Sequence, residues 1–140
     1  MDKLIYFAET DGISIERMQR VGNFNMNVKH FHNEYEIFYL IEGKRQFFFD
    51  NRAYEIQAGS LILVNENVIH MTRDISDEAT GHERIILYIG KEKMKELDHL
   101  FPSLNLIKFF REQCGVFHLN KEQQQQFLRL YDCMTQEFDS

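Results

Sequence analysis

Between residues 14 and 89 the chain is cut again and again into short β-rich segments by turn residues, and this pattern leaves few folds open. Residues 14–20, 35–42, 44–50, 53–56, 60–64, 68–72 and 84–89 read as strands, being rich in Ile, Val, Phe and Tyr. Gly43, the Asp50-Asn51-Arg52 stretch, Gly59 and Asn65-Glu66-Asn67 supply the breaks, and residues 74–81 form an acidic, polar loop. The segments on either side of Gly43 make a hairpin. Many short strands at close spacing predict a mostly-β sandwich or barrel.

The final third changes period. Met94, Leu97 and Leu100 with Phe101 follow helical spacing, and Pro102, the single proline, stops that helix. Residues 115–119 read as a short strand. Asn120 followed by Gln123 has the form of a capping box, because Asn accepts from the amide three residues on. The second helix that follows carries Phe127, Leu130, Tyr131, Met134 and Phe138 as one apolar stripe. The expected organisation is one domain, with a barrel over residues 1–90 and a helical segment over 91–140 packed on it.

At 140 residues, with 44% hydrophobic residues and thirteen Phe, the chain has enough apolar mass for a real core. Its formal net charge is −6. Binding to phosphate backbones relies on Lys and Arg displacing counterions, so this segment is not expected to grip DNA by itself. Residues 1–12 carry Asp2, Glu9 and Asp11 and no apolar stretch, unlike a signal peptide. The apolar runs at 37–41 and 61–64 are far too short to span a bilayer. A cytoplasmic location without membrane contact follows as the expectation, with Cys114 and Cys133 kept as reduced, idle thiols.

Chemistry concentrates in four residues. His30 and His32 stand two apart, so on an extended strand both imidazoles face one way. Glu36 joins that face if the strand continues without a bulge, and His70 returns from a later strand. Three imidazoles and a carboxylate suit a divalent transition metal such as Zn, Fe, Mn or Ni. They suit equally the hydroxyls or carboxylate of an organic ligand.

The sequence His30-x-His32-x3-Glu36-x6-Gly43, followed by Gly59-x5-Asn65-x-Asn67-x2-His70, resembles the two motifs of the cupin superfamily. That resemblance implies a small β-barrel (a double-stranded β-helix) followed by helices. The positions matching His30, His32, Glu36 and His70 carry the metal in the family's metalloenzymes. Phe24 stands where the first motif has glycine, Asn65 and Asn67 replace the Pro and Gly of the second, and the family's final Asn falls on Asp74. The stretch Gly59-Ser-Leu-Ile-Leu-Val-Asn-Glu-Asn-Val-Ile-His70 looks most like the N-terminal sensor domains of AraC-type transcription regulators. Those domains imply a small-molecule effector, a homodimer made through trailing helices, and DNA reading by a separate C-terminal helix-turn-helix domain that this chain does not contain. Such sensors often retain the HxH pattern without metal, so no cofactor is expected, a divalent transition metal being the alternative.

Parity adds Thr72, on the face of His70, and Arg84 with Tyr88, opposite Ile85, Leu87 and Ile89. If the mixed face looks inward, Arg84 can hold an anionic group and Tyr88 can stack on a ring. If the aliphatic face does, Arg84 is solvated. Two functions stand side by side: a non-enzymatic ligand-sensing and dimerisation domain, with the α-helical stripe as dimer contact, and a stand-alone metal-dependent cupin dioxygenase, isomerase or epimerase using His30, His32, Glu36 and His70. Neither Cys nor any Ser sits in an activating motif for nucleophilic catalysis.

Overall fold

A computed structural model describes residues 2–22, 33–49, 51–66, 70–74 and 81–140. The side chains of Phe49, His70, Met71 and Asp74 lie outside that description. The strands are β1 (Lys3–Thr10), β2 (Ile13–Arg20), β3 (Glu34–Glu42), β4 (Lys44–Phe49), β5 (Arg52–Gln57), β6 (Ser60–Val64), β7 (His70–Asp74), β8 (His82–Gly90) and β9 (Gly115–His118). Three helices follow or interleave: α1 (Lys91–Leu100), α2 (Leu106–Gln113) and α3 (Lys121–Asp139), with a 3-10 turn at Pro102–Leu104.

The strands form two antiparallel sheets. The larger has the order β1-β2-β8-β3-β6-β9 and the smaller β5-β4-β7. Strand β3 is central, pairing with β6 on one side and β8 on the other. Its sequence, Glu34-Tyr-Glu-Ile-Phe-Tyr-Leu-Ile-Glu42, is nearly unbroken in apolar character because both of its faces are covered. On one face Phe38 and Leu40 meet Phe47, Ile56, Ile62, Val64 and Ile86 in the space between the two sheets. On the other, Tyr35 and Tyr39 lie beneath the helices, with Tyr35 edge-on to Phe110 and Tyr39 stacked on Phe127 at 4.2 Å. The layers therefore run small sheet, large sheet, helices.

The two-residue connection Asp11-Gly12 closes β1 onto β2, with both residues at positive φ (44° and 83°). Such loops match the right-handed twist of the paired strands. At Gly43 (φ +102°) the chain passes so close to β8 that an added Cβ would sit 2.8 Å from the Gly81 carbonyl oxygen and from the His82 Cβ, so glycine is required there.

The expected mostly-β barrel with C-terminal helices is the observed architecture, and most strand limits agree within two residues. Three differences stand out. Strand β1 was not anticipated, although Asp11-Gly12 is a strong hairpin signal. Helix α2 adds a third helix to the two expected, burying Phe110 with Leu106 and Ile107 beside it. In α1, Met94 is buried and Leu97 partly so, but Leu100 and Phe101 are exposed, because the chain turns away at Pro102. The Asn120–Gln123 capping box forms in both directions, at 2.9 and 3.0 Å.

Candidate functional site in the barrel interior

Strand β8 decides which residues can form a site. Ile86 packs between the sheets, against Phe38, Leu40 and Phe47, while Ile85, Leu87 and Ile89 pack beneath the helices. The mixed face of Arg84 and Tyr88 is therefore the barrel face, and the aliphatic face is covered as well. The register with β2 runs unbroken from Ile13↔Ile89 to Arg20↔His82, so His82, Arg84, Ile86 and Tyr88 share one side.

Glu36 is buried at 2% exposure and lies in register with Val64 of β6 and Tyr88 of β8. Tyr88 is partly buried against the core between the sheets. Burial first, and then the negative charge of Glu36, raise its phenol well above the ordinary tyrosine range. At neutral pH it is a hydrogen-bond donor, beside a carboxylate acceptor. Ser14, opposite Tyr88 on β2, also lines an outer cleft of about 340 Å³ together with Glu34, Gly90 and the Asp11-Gly12 turn.

The other end of the barrel face is cationic. Arg84 Nη2 lies 2.6 Å from Glu16 Oε1. Arg45, fully buried, reaches in from β4 and donates from Nη2 to Thr72 Oγ1 at 3.1 Å. Thr72 itself is buried and stands opposite Phe47 in the small sheet. His82 is buried among these groups, and its imidazole is held down at about 3 by burial and then by the guanidiniums of Arg45, Arg84 and Arg20. It stays neutral at any physiological pH. Between the two polar ends, Phe38, Ile62, Phe47 and Ile86 fill the barrel.

His30 and His32 lie outside the described residues, and so does the side chain of His70, whose backbone pairs with Phe49 two positions along β7 from Thr72. Of the four metal-type donors only Glu36 is placed. Among the described residues no group of three or more His, Cys, Asp or Glu side chains gathers as a metal set, so no step is derived through a metal.

Arg45, His82 and Glu16 were missed from the sequence. The signal was available: Arg45 is in phase with Phe47, His82 with Arg84, and Glu16 stands opposite Ile86. A charged residue in phase with a core position is the mark of a buried polar group.

The expected dimerisation stripe divides. Tyr131 is buried, and Phe127, Met134 and Phe138 pack with it under the large sheet, while Leu130 is 63% exposed. Arg17 of β2 ties this contact down: it pairs with Glu83 at 2.6 Å and lies over the Tyr131 ring at 5.5 Å. Among the described residues no helix is long and apolar enough to cross a membrane.

Comparison with known proteins bears on both fold and family. The chain is similar to an RmlC-like cupin family protein with a double-stranded β-helix fold from Methanocaldococcus jannaschii (17% identity, 70% of this chain and 86% of that chain, TM-score 0.56). It is also similar to a Cupin 2 conserved barrel domain protein from Salinispora arenicola (14% identity, 71% and 82%, TM-score 0.53). A cupin protein from Bacteroides fragilis matches at 17% identity over 58% of this chain and 68% of that one, with a TM-score of 0.51. At these identities the likeness concerns the fold alone. No curated protein matches the chain. The model of the AraC-like ligand binding domain matches residues 19–140, which takes in the barrel from the end of β2 together with all three helices. The chain belongs to the AraC-like ligand-binding domain family.

Proposed function

We propose that this domain is the sensing half of a transcription regulator, taking a small effector into the barrel and carrying no catalysis of its own. The observation that carries the reading is the chemistry of the barrel face. Glu36, Thr72 and Arg84 line it with Arg45 and His82, all buried, and with the partly buried Tyr88, where a purely structural sheet would place aliphatic groups. Polar side chains that converge from several strands beside an apolar wall are the usual lining of a small-ligand site. His30, His32 and His70 belong to the proposed ligand set through the motif they share with Glu36.

In this reading DNA is contacted only by a separate helix-turn-helix domain, in keeping with the net charge of −6. A homodimer would set two such domains at a fixed spacing. Since Phe127, Tyr131, Met134 and Phe138 pack on their own sheet, pairing through α3 would run through the outward Leu130 and its neighbours. A cytoplasmic location fits the same role.

A thermal-shift screen of sugars, small carboxylates and aromatic acids tests the reading. A ligand confined to the folded state stabilises it by about 2.7 kcal/mol at a hundredfold excess over its Kd. For a domain of this size that is a shift of roughly 2–6 °C. At least one class is expected to give it, weakened in His32→Ala. A screen in which nothing shifts the midpoint refutes sensing.

The second reading, a metal-dependent cupin enzyme, is favoured by one observation: Glu36, at the motif position, is buried in the barrel. Elemental analysis finding about one tightly held Fe, Mn or Zn per chain, lost in both His30→Ala and His70→Ala, would favour the enzyme.

A further inference from the structure

We infer that the corner where α1 turns into α2 is a self-association surface, on which a second copy of this chain seats the same corner about a two-fold axis. This pairing lies beyond effector sensing and does not depend on it.

Connections between helices run over the surface and are normally polar. Here the connection reads Leu100-Phe101-Pro102-Ser103-Leu104, and Phe109 follows in the first half of α2. Leu100, Phe101, Leu104 and Phe109 are each 47–59% exposed, and no other stretch of ten described residues leaves so many large apolar side chains in water. A tightly bonded backbone presents them. The Leu104 N–H donates to the Phe101 carbonyl at 3.0 Å, which closes the 3-10 turn and sets Phe101 and Leu104 on one side. The Phe109 N–H donates to the Asn105 carbonyl at 2.8 Å, so Phe109 stands one helical turn from the residue after Leu104. Asp98 Oδ1 accepts from the Ile107 amide at 3.4 Å and ties the end of α1 to the start of α2. A fixed backbone of this kind keeps the ordering cost of a contact low.

Area and charge together name the occupant. Two half-exposed Phe and two half-exposed Leu leave roughly 400 Å² of apolar side chain in water, a patch of the size that marks an association site. A homodimer contact covers about 800 Å² per partner, with roughly 500 Å² of that apolar, so the corner supplies most of what a stable pair needs. Among the large apolar residues of α3, by comparison, only Leu130 is exposed. The whole chain carries −6, so a contact between two copies through most of its surface sets acid against acid. Residues 91–113 are the exception: five Lys or Arg stand there against four Asp or Glu, while the rest of the chain holds eleven against eighteen. Lys93 with Glu96, Lys95 with Glu92 and Lys108 with Glu112 answer one another within the two helices. A polyanion or an anionic membrane requires a basic rim, which this surface lacks. A second copy of the same near-neutral corner meets no net repulsion, and a two-fold contact uses one patch on both copies.

Sedimentation equilibrium of the 140-residue chain as wild type, Phe101→Glu, Leu104→Glu and Leu130→Glu tests the surface. All three positions are exposed, so the variants should fold, with far-UV circular dichroism as the check. The wild type should be dimeric, and Phe101→Glu and Leu104→Glu should each weaken pairing about tenfold or more. Leu130→Glu should leave it unchanged. Phe101→Ser replaces either glutamate variant that fails to fold, and the same loss of pairing is expected. A wild type that stays monomeric at every loading concentration overturns the inference. So does a dimer that survives the corner variants, or one that only Leu130→Glu breaks. None of these outcomes bears on the effector screen, so sensing stands or falls separately.

Discussion

The two faces of the large sheet are built from the same strands, one residue apart, and they serve opposite ends. Beneath the helices, Ile15, Tyr39, Ile85, Leu87 and Ile89 form a nearly continuous apolar surface, interrupted among the buried residues by Glu83, which Arg17 neutralises. On the barrel face the apolar middle of Phe38, Ile62 and Ile86 is flanked by Glu36 with Tyr88 at one end and by Arg84, Arg45 and His82 at the other. Burial of the helix-side face drives folding, because each aliphatic group removed from water contributes and none carries a desolvation cost. The barrel face gives up part of that gain to hold polar groups out of water. A sheet needs only one well-packed face to be stable, and the second is then available for ligand chemistry.

The largest effect should come from setting one residue of each face against the other. Ile85→Ala, at a fully buried position beneath the helices, is expected to cost about 2–5 kcal/mol in urea unfolding. Glu36→Gln, equally buried on the barrel face, should change stability by only about 1 kcal/mol in either direction, since the amide keeps volume and hydrogen bonding while shedding a desolvated charge. Equal losses would break the contrast.

Acid should act on the barrel face through His82. Its folded value of about 3 lies below the ordinary 6.5, so the unfolded chain takes up a proton that the folded chain refuses. Above pH 6.5 the residue makes stability neither rise nor fall. As pH drops from there toward 3, stability declines, with a slope approaching about 1.4 kcal/mol per pH unit. In His82→Gln this part of the slope should vanish in urea midpoints measured at a series of pH values. An unchanged slope would mean that His82 does not bear the load.

On the helix side, a double-mutant cycle of Arg17→Met and Glu83→Gln sharpens the one polar exception. The Arg17 side chain is 27% exposed, so screening trims the pair, and a coupling of about 1–2 kcal/mol is expected. A value near zero would leave α3 held by its apolar contacts alone. The smallest effect belongs to Leu130→Glu. This position lies outside both faces, and thermodynamic stability should stay within about 0.5 kcal/mol of wild type. Sedimentation equilibrium on the same variant tests pairing: a wild-type dimer that becomes a folded monomer supports the contact through α3, and a monomeric wild type removes it.

Much of this was legible in the amino-acid sequence because it depends on local spacing. Turn residues set the strand limits, Asn120 with Gln123 announced α3, and the order of the two motifs around Glu36 and Gly43 pointed to the barrel. Strand β1 is legible too, in the Asp11-Gly12 turn that closes it onto β2. Helix α2 is short, and its Leu106, Ile107 and Phe110 gain their meaning only from the surface they cover.

What no local pattern could decide is which of two alternating faces looks into the barrel. Period two separates Arg84 and Tyr88 from Ile85, Leu87 and Ile89, yet it assigns neither set to the inside. In an ordinary half-exposed sheet the aliphatic set would be the buried one and Arg84 would meet water. Here the helices cover the aliphatic side, and the small sheet closes over the other. Both faces are therefore buried, and the mixed one is left inside the barrel. The sequence by itself determined the strands, their phase and the residues that travel together. Only tertiary structure decided that Arg45 from one sheet and Arg84, His82 and Arg20 from the other share one volume, because their meeting depends on how the sheets stack across the core and not on any spacing along the chain.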